Sequence, residues 1–218
     1  MAKYTPDMFT GIIKELGKVK KITKSSQSAT FVIQAKSILK NKKIGESIAV
    51  NGVCVTITKL TKGNFEFEAI KETLDISNLK SLEIDDEVNL EPALTLNQSL
   101  DGHLVQGHID TEGTVENFKE NKEESTLTIK FPKQISDCLA FKGSITVNGV
   151  SLTISDLQDS TFSVSLIPHT LKNTNLKNLK KGDKVNLEVD LIARYLKNLL
   201  DKKDNEAKYE FLKDRNLI

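Results

Sequence analysis

Residues 50–57 read VNGVCVTI, and residues 147–154 read VNGVSLTI. In each copy an Asn-Gly pair separates two β-rich runs, SIAV from VCVTIT and SITV from VSLTIS. Asn-Gly between such runs is the strongest short-range signal for a tight hairpin. Alternation along the second strand of each hairpin predicts Val53, Val55 and Ile57 on one face and Cys54, Thr56 and Thr58 on the other. The second copy predicts Val150, Leu152 and Ile154 against Ser151, Thr153 and Ser155. The apolar face supplies core. The other face offers a thiol or hydroxyl, followed two residues later by a hydroxyl.

The repetition extends well beyond this phrase. IKET at 70–73 answers IPHT at 167–170, and DEVNLE at 86–91 answers DKVNLE at 183–188, both 97 residues apart like Asn51 and Asn148. FTGII at 9–13 resembles VQGHI at 105–109, and LGKV at 16–19 resembles EGTV at 112–115, at an offset of 96. A solenoid repeats every 20–50 residues or so. This period is instead that of a small domain, so the chain reads as a duplicated fold. NFEFEAI, EVNLEP, STLTIKF, TFSVSLI and KVNLEVD are further short β-rich runs separated by turn residues. Each half therefore predicts an all-β barrel or sandwich. Lys36–Lys43 and Pro132–Phe141 are expected to form short helices. From Leu191 onward, Ile192, Tyr195, Leu196, Leu199 and Leu200 recur at helical spacing. That amphipathic C-terminal helix has no counterpart after the first repeat. Its stripe is expected to pack on its own barrel or on another subunit.

Composition bounds the function. The 218 residues carry 31 Lys+Arg against 30 Asp+Glu, a net charge of +1, so the basic footprint of a nucleic-acid binder is absent. With 38% hydrophobic and 28% charged residues, the chain has no apolar run long enough for a membrane helix. Nor does the N-terminus carry the apolar core of a signal peptide. The two cysteines, Cys54 and Cys138, form no CxxC pair, which fits free thiols in a reducing cytoplasm. The Lys-rich stretches KVKKITK and KNLKKGDK read as solvated surface. His103 and His108 fall on opposite faces by alternation, and there is no HExxH motif, so no metal site is expected. The small polar residues recur in both halves. Each is matched by a second polar cluster, Lys71-Glu72-Thr73 or His169-Thr170, which points to two related pockets.

MFTGII (8–13), VNGVCVTI (50–57), KETL (71–74), GHLVQGHID (102–110), KGSITVNGVSLTI (142–154) and SLIPHT (165–170) together resemble the riboflavin synthase family. The resemblance implies two tandem six-stranded Greek-key β-barrels, spanning residues 8–102 and 103–190. It also implies an N-terminal extension at 1–7 and an oligomerisation helix and tail at 191–218. It implies dismutation of two 6,7-dimethyl-8-ribityllumazine molecules to riboflavin and 5-amino-6-ribitylaminouracil, without cofactor or metal. A homotrimer with active sites between subunits, and association with lumazine synthase, belong to the same expectation. The same family includes non-catalytic lumazine- or flavin-binding proteins, which is the alternative.

Carried over by position, one pocket uses Gly11, Ile12, Ile13, Cys54, Val55, Thr56, Glu68, Ala69, Ile70, Lys71, Glu72 and Thr73. The other uses Gly102, His103, Lys142, Ser151, Leu152, Thr153, Ser165, Leu166, Ile167, Pro168, His169 and Thr170. Catalytic roles would fall to His103 as a proton shuttle and to Cys54 and Ser151, which position or supply a nucleophile. Water or a ribityl hydroxyl could equally be that nucleophile. Phe9 could cover the pocket. Two departures from the family stand out: Asn148, where many members have Asp, and Asp101, where they often have Gly. Asn148 cannot be a general base, and as a turn residue it suits the hairpin.

Overall fold

A computed structural model describes residues 7–201 and 212–215. The first half contains β1 (Glu15–Lys24), β2 (Ser28–Gln34), β3 (Ser47–Val50), β4 (Val53–Thr56), β5 (Lys59–Thr61), β6 (Asn64–Ile70), helix α1 (Lys71–Ile76) and β7 (Glu87–Pro92). The second contains β8 (Thr111–Lys119), β9 (Ser125–Lys130), β10 (Ser144–Val147), β11 (Val150–Leu157), β12 (Thr161–Leu166), helix α2 (Pro168–Asn173), β13 (Lys184–Val189) and helix α3 (Leu191–Asp201).

The second half is a closed six-stranded barrel in the order β10-β11-β12-β9-β8-β13. The first is ordered β4-β3-β7-β1-β2-β6-β5, seven strands by hydrogen bonding. Its two terminal strands are halves of one bent strand: β4 pairs with β3, and β5, three residues on, pairs with β6. The count is therefore six in both, and each barrel closes. Alternation holds where the sequence predicts it. Val53, Val55, Ile57, Val150, Leu152 and Ile154 are buried, while Thr56 and Thr153 are exposed. Each barrel has its own core. Phe31 stacks on Phe67 with ring centroids 5.0 Å apart in the first, and Phe131 lies 6.0 Å from Phe162 in the second.

The helices correct the sequence reading. Residues 36–43 form turns, because the Glu15 carboxylate takes the N–H groups of Lys36 (2.6 Å) and Ile38 (2.9 Å), and the Ser37 hydroxyl as well (2.7 Å). A distant carboxylate organises this segment in place of helical hydrogen bonds. Within Pro132–Phe141 the helix is a 3-10 segment, Lys133–Cys138. Helices α1 and α2 were not expected. Each has six residues and no buried one, too short for a periodicity to show. Helix α3 begins where expected, with Asp190 Oδ1 accepting the Ile192 N–H at 2.8 Å as its cap. Residues 1–6 of the expected extension, and 202–211 and 216–218 of the tail, lie outside the described residues.

The halves meet about a pseudo-two-fold axis on which matched residues touch each other. Phe9 and Val105 form an antiparallel bridge, with N–H to C=O distances of 2.7 and 3.2 Å. Gly52 and Gly149 face each other so closely that a Cβ on either would lie 2.6–2.7 Å from the other's backbone nitrogen. Around this contact six asparagines form one buried hydrogen-bonded network. The Asn51 Oδ1 accepts from Asn89 N (2.9 Å) and Asn175 Nδ2 (3.0 Å). Asn148 Oδ1 accepts from Asn186 N (2.9 Å) and Asn78 Nδ2 (3.0 Å). Asn89 and Asn186 then donate across the axis, to Asn148 O at 2.9 Å and Asn51 O at 2.8 Å. The Asn-Gly pair thus does more than turn a hairpin. Asn51 and Asn148 do have the positive φ such a turn requires, 46° and 47°. Their side chains also tie the two barrels together, as acceptors, a part an Asp could play equally well.

Candidate functional site

Cys54 and Ser151 lie two residues beyond the paired glycines, and each is covered by a segment from the other half. Gly11 O accepts the Ser151 N–H at 2.8 Å, and Gly107 O accepts the Cys54 N–H at 2.9 Å. Both glycines have positive φ, 76° and 77°. A Cβ on either would come 2.6 Å from the Cβ of the residue beneath it, so this approach needs glycine.

The covering segments are held by buried carboxylates, each from the segment's own half. Glu91, in β7, accepts Thr10 N (2.7 Å), Thr10 Oγ1 (2.7 Å) and Gly11 N (2.9 Å). Glu188, in β13, accepts Gln106 N (2.9 Å) and Gly107 N (3.0 Å). Burial pushes the Glu188 carboxyl up to about 7, even though the two N–H groups and Arg194 pull it down. Glu91 is raised for the same reason.

Beside Ser151, His103 Nδ1 lies 2.7 Å from Ser151 Oγ, and the backbone N–H of His103 donates to Thr10 O at 3.2 Å. Burial holds the imidazole below its ordinary value, opposed by the nearby Asp190 charge. Gly102 precedes it because a Cβ there would sit 2.0 Å from Thr10 O. Ile13 packs onto the second barrel's core. With His169, Lys172 and Asn173 it lines a cavity of about 410 Å³. Gly11–Ile13 therefore stand with Ser151, His103 and His169 rather than with Cys54, as position alone had them. The segment that does cover Cys54, around Gly107, is not among the candidate residues. Its signal was present in the match of VQGHI to FTGII.

Cys54 is half-buried, against Phe9, Ala49 and Val105. Burial, with the Asp7 and Glu188 charges adding to it, pushes its thiol up to about 11 despite the Ser47 hydroxyl nearby. Near neutral pH it is a thiol, the weaker nucleophile of its two forms. Phe9 is wholly buried in this cluster, so it is a plug between the halves rather than a cover over a pocket.

The remaining candidates divide by which way they face. Val55, Ala69, Leu152 and Leu166 are core side chains, so any ligand would meet their backbone. Thr56, Glu68, Ile70, Lys71, Glu72, Thr153, Ile167, Pro168 and His169 are exposed; Ile12, Thr73, Ser165 and Thr170 are partly so. Ile70, the last residue of β6, and its match Ile167, the residue just after β12, expose 58% and 56% of their surface, unusual for isoleucine and suited to an apolar ring. Lys71 is engaged with Asp75 at 2.6 Å. Lys142, at φ 64°, sets its ammonium 4.9 Å from the Phe141 ring centroid. Asp101 lines a cavity of about 110 Å³ with Thr10 and Glu91. Asn148 is 2% exposed within the asparagine network.

The fold and the paired sites define a tandem-barrel protein that binds small molecules. Residues 10–93 and 106–190 each match the lumazine binding domain. The chain is 41% identical to riboflavin synthase of Actinobacillus pleuropneumoniae over 90% of its length and 91% of that protein's. It is 39% identical to that of Bacillus subtilis, over 89% and 91%. A crystal structure of LumP with 6,7-dimethyl-8-(1'-D-ribityl)lumazine superposes with a TM-score of 0.77 at 27% identity, covering 83% of this chain and 98% of LumP. The chain belongs to the riboflavin synthase family.

Proposed function

We propose that the protein acts as a riboflavin synthase, moving a four-carbon unit from one 6,7-dimethyl-8-ribityllumazine to a second and releasing riboflavin and 5-amino-6-ribitylaminouracil. The observation that carries this reading is the pair of matched but chemically unequal sites. Both are built from the same phrase and covered by the same glycine geometry, but one holds a thiol and the other a hydroxyl bonded to a histidine. A reaction between two copies of one molecule needs two related sites, one to give and one to receive. Holding both copies converts a bimolecular encounter into a positioned one. Atoms balance between the two lumazines and the two products, so no external oxidant enters.

In this reading the C7 methyl of one lumazine loses a proton and C7 of the other gains a nucleophile. His103 is neutral near pH 7, as a proton shuttle requires, and it sits on Ser151. Cys54, as a thiol, positions its ligand rather than attacking it. Lys142 and the rims at Glu68–Thr73 and Ser165–Thr170 take the pyrimidine and ribityl ends. The two barrels, residues 8–102 and 103–190, each bind one lumazine. Helix α3 leaves Ile192, Tyr195, Leu196 and Leu199 more than half exposed, an apolar stripe suited to a homotrimer with the sites shared between subunits. We place the enzyme in the cytoplasm, in association with lumazine synthase. Among the described residues, no helix is long and apolar enough to cross a membrane.

Incubating the protein with 6,7-dimethyl-8-ribityllumazine should give riboflavin, followed by its absorbance and fluorescence. A lumazine- or flavin-binding protein without turnover is the second reading, favoured by the likeness to LumP bound to riboflavin (TM-score 0.79). Tight binding with no riboflavin formed would decide for it.

A further inference from the structure

The two covering segments are alike, but only one is tied to α3. Arg194, in the first turn of that helix, donates from Nη1 to Gln106 Oε1 (2.9 Å) and from Nη2 to His108 O (3.3 Å) and Asp110 Oδ2 (2.8 Å). Asp110 is itself fixed: its N–H donates to Leu187 O at 2.9 Å, and its carboxylate accepts Val189 N–H at 2.8 Å. One guanidinium thus gathers three acceptors from residues 106–110, the stretch whose Gly107 carbonyl receives the Cys54 N–H. Among the described residues, the matched segment at 9–12 has no such tie. There Thr10 supplies its own hydroxyl to Glu91. Asn97, the position matched to Arg194 at an offset of 97, lies exposed in a loop, its side-chain oxygen 2.9 Å from the Thr95 hydroxyl.

We infer that Arg194 is a positioning residue for the Cys54 site. Through it, the C-terminal helix of the second half sets how closely residues 106–110 lie on a strand of the first. Guanidinium suits this task because its rigid fork holds two nitrogens apart, one on Gln106 and one on His108 and Asp110, a spread that the single nitrogen of an ammonium lacks. The Ser151 site is indifferent to α3 by this route. The unduplicated helix therefore makes two duplicated sites unequal, beyond the exchange of thiol for hydroxyl. The word site here rests on the function proposed above, whereas the contact itself does not.

The test uses the full chain and hydrogen exchange resolved to single amides, which requires no substrate. In Arg194→Ala, the amides of Cys54 and Gly107 should exchange about tenfold faster, while those of Ser151 and Gly11 keep their rates. Turnover of 6,7-dimethyl-8-ribityllumazine should fall about 100-fold, as expected for a loss of alignment near 1 Å. Arg194→Lys, whose single nitrogen can keep at most the two acceptors that Nη2 serves and not Gln106, should fall between, and it serves equally should the alanine variant not fold. Unchanged exchange at Cys54 and Gly107, or equal acceleration at all four amides, overturns the inference. So does asymmetric exchange with full turnover. Asymmetric exchange in a protein that never makes riboflavin would instead sink the proposed function and leave the tie standing.

Discussion

Cys54 and Ser151 occupy the same place in two halves that share strand order, turn geometry and covering glycines. Their surroundings differ. Ser151 touches an imidazole at 2.7 Å, whereas Cys54 sits among apolar side chains with its thiol pushed up to about 11. What the halves share is backbone-determined: the Asn-Gly turn, the apolar face and the glycine that has no room for a Cβ. What differs is carried by side chains that no frame contact constrains. A duplicated fold keeps its frame and diverges where the frame leaves a side chain free.

The sharpest way to break this comparison is His103→Ala. Removing a positioned acid–base group should lower kcat by about 10²–10⁴-fold, in a riboflavin-formation assay with the melting temperature as control. A loss below tenfold would leave the Ser151 side without its distinguishing chemistry. Next comes the shared frame. Asn148→Ala strips the acceptor from Asn186 N and Asn78 Nδ2 and should cost about 3 kcal/mol in denaturant unfolding. Asn148→Asp keeps the acceptor and should cost far less, so equal losses would refute the acceptor role.

The carboxylates that hold the covering segments give a third test. Glu188 has a folded-state value raised to about 7, so the folded protein binds its proton more tightly than the unfolded chain does. Its contribution to stability is therefore full at low pH and fades as pH rises from about 4.5 through 7. Glu188→Gln should flatten that slope, by about 2 kcal/mol between pH 5 and 7, in unfolding curves at the two pH values. An unaltered slope would mean that burial does not govern this group. The smallest effect is expected at Cys54. Cys54→Ser should lower kcat about tenfold with little change in KM, since the chain already runs a hydroxyl at the matched position. A change in KM alone would assign Cys54 to binding only.

Much of the fold was legible because duplication writes it twice. The 97-residue offset located matched hairpins, and alternation in VCVTI and VSLTI assigned the buried faces correctly. Helix α3 declared itself by a long apolar stripe. Helices α1 and α2 could not, since six residues make under two turns. The segment 36–43 forms turns and not the expected helix because Glu15, twenty or so residues away, supplies its acceptors. Ser151 and His103 were legible as candidates, but their contact was not. The crossing was hidden for a like reason. A repeat shows which segments are equivalent, not which barrel each one lies against. Gly11 and Gly107 were visible as matched residues, but their partners are 140 and 53 positions away. Asn51 and Asn148 read from sequence only as turn residues, and Asn78, Asn89, Asn175 and Asn186 carried no signal at all, because polar side chains are rarely this buried unless hydrogen-bonded, and partnership is not written in any one segment.

The contact between Gly52 and Gly149 carries a consequence of its own. Equal patches meeting about a two-fold axis are what two separate copies of a subunit present in an isologous dimer. Here both patches belong to one chain, so each barrel meets its counterpart at a fixed effective concentration that dilution does not lower. The contact between the two barrels is thereby independent of how much protein the cell makes.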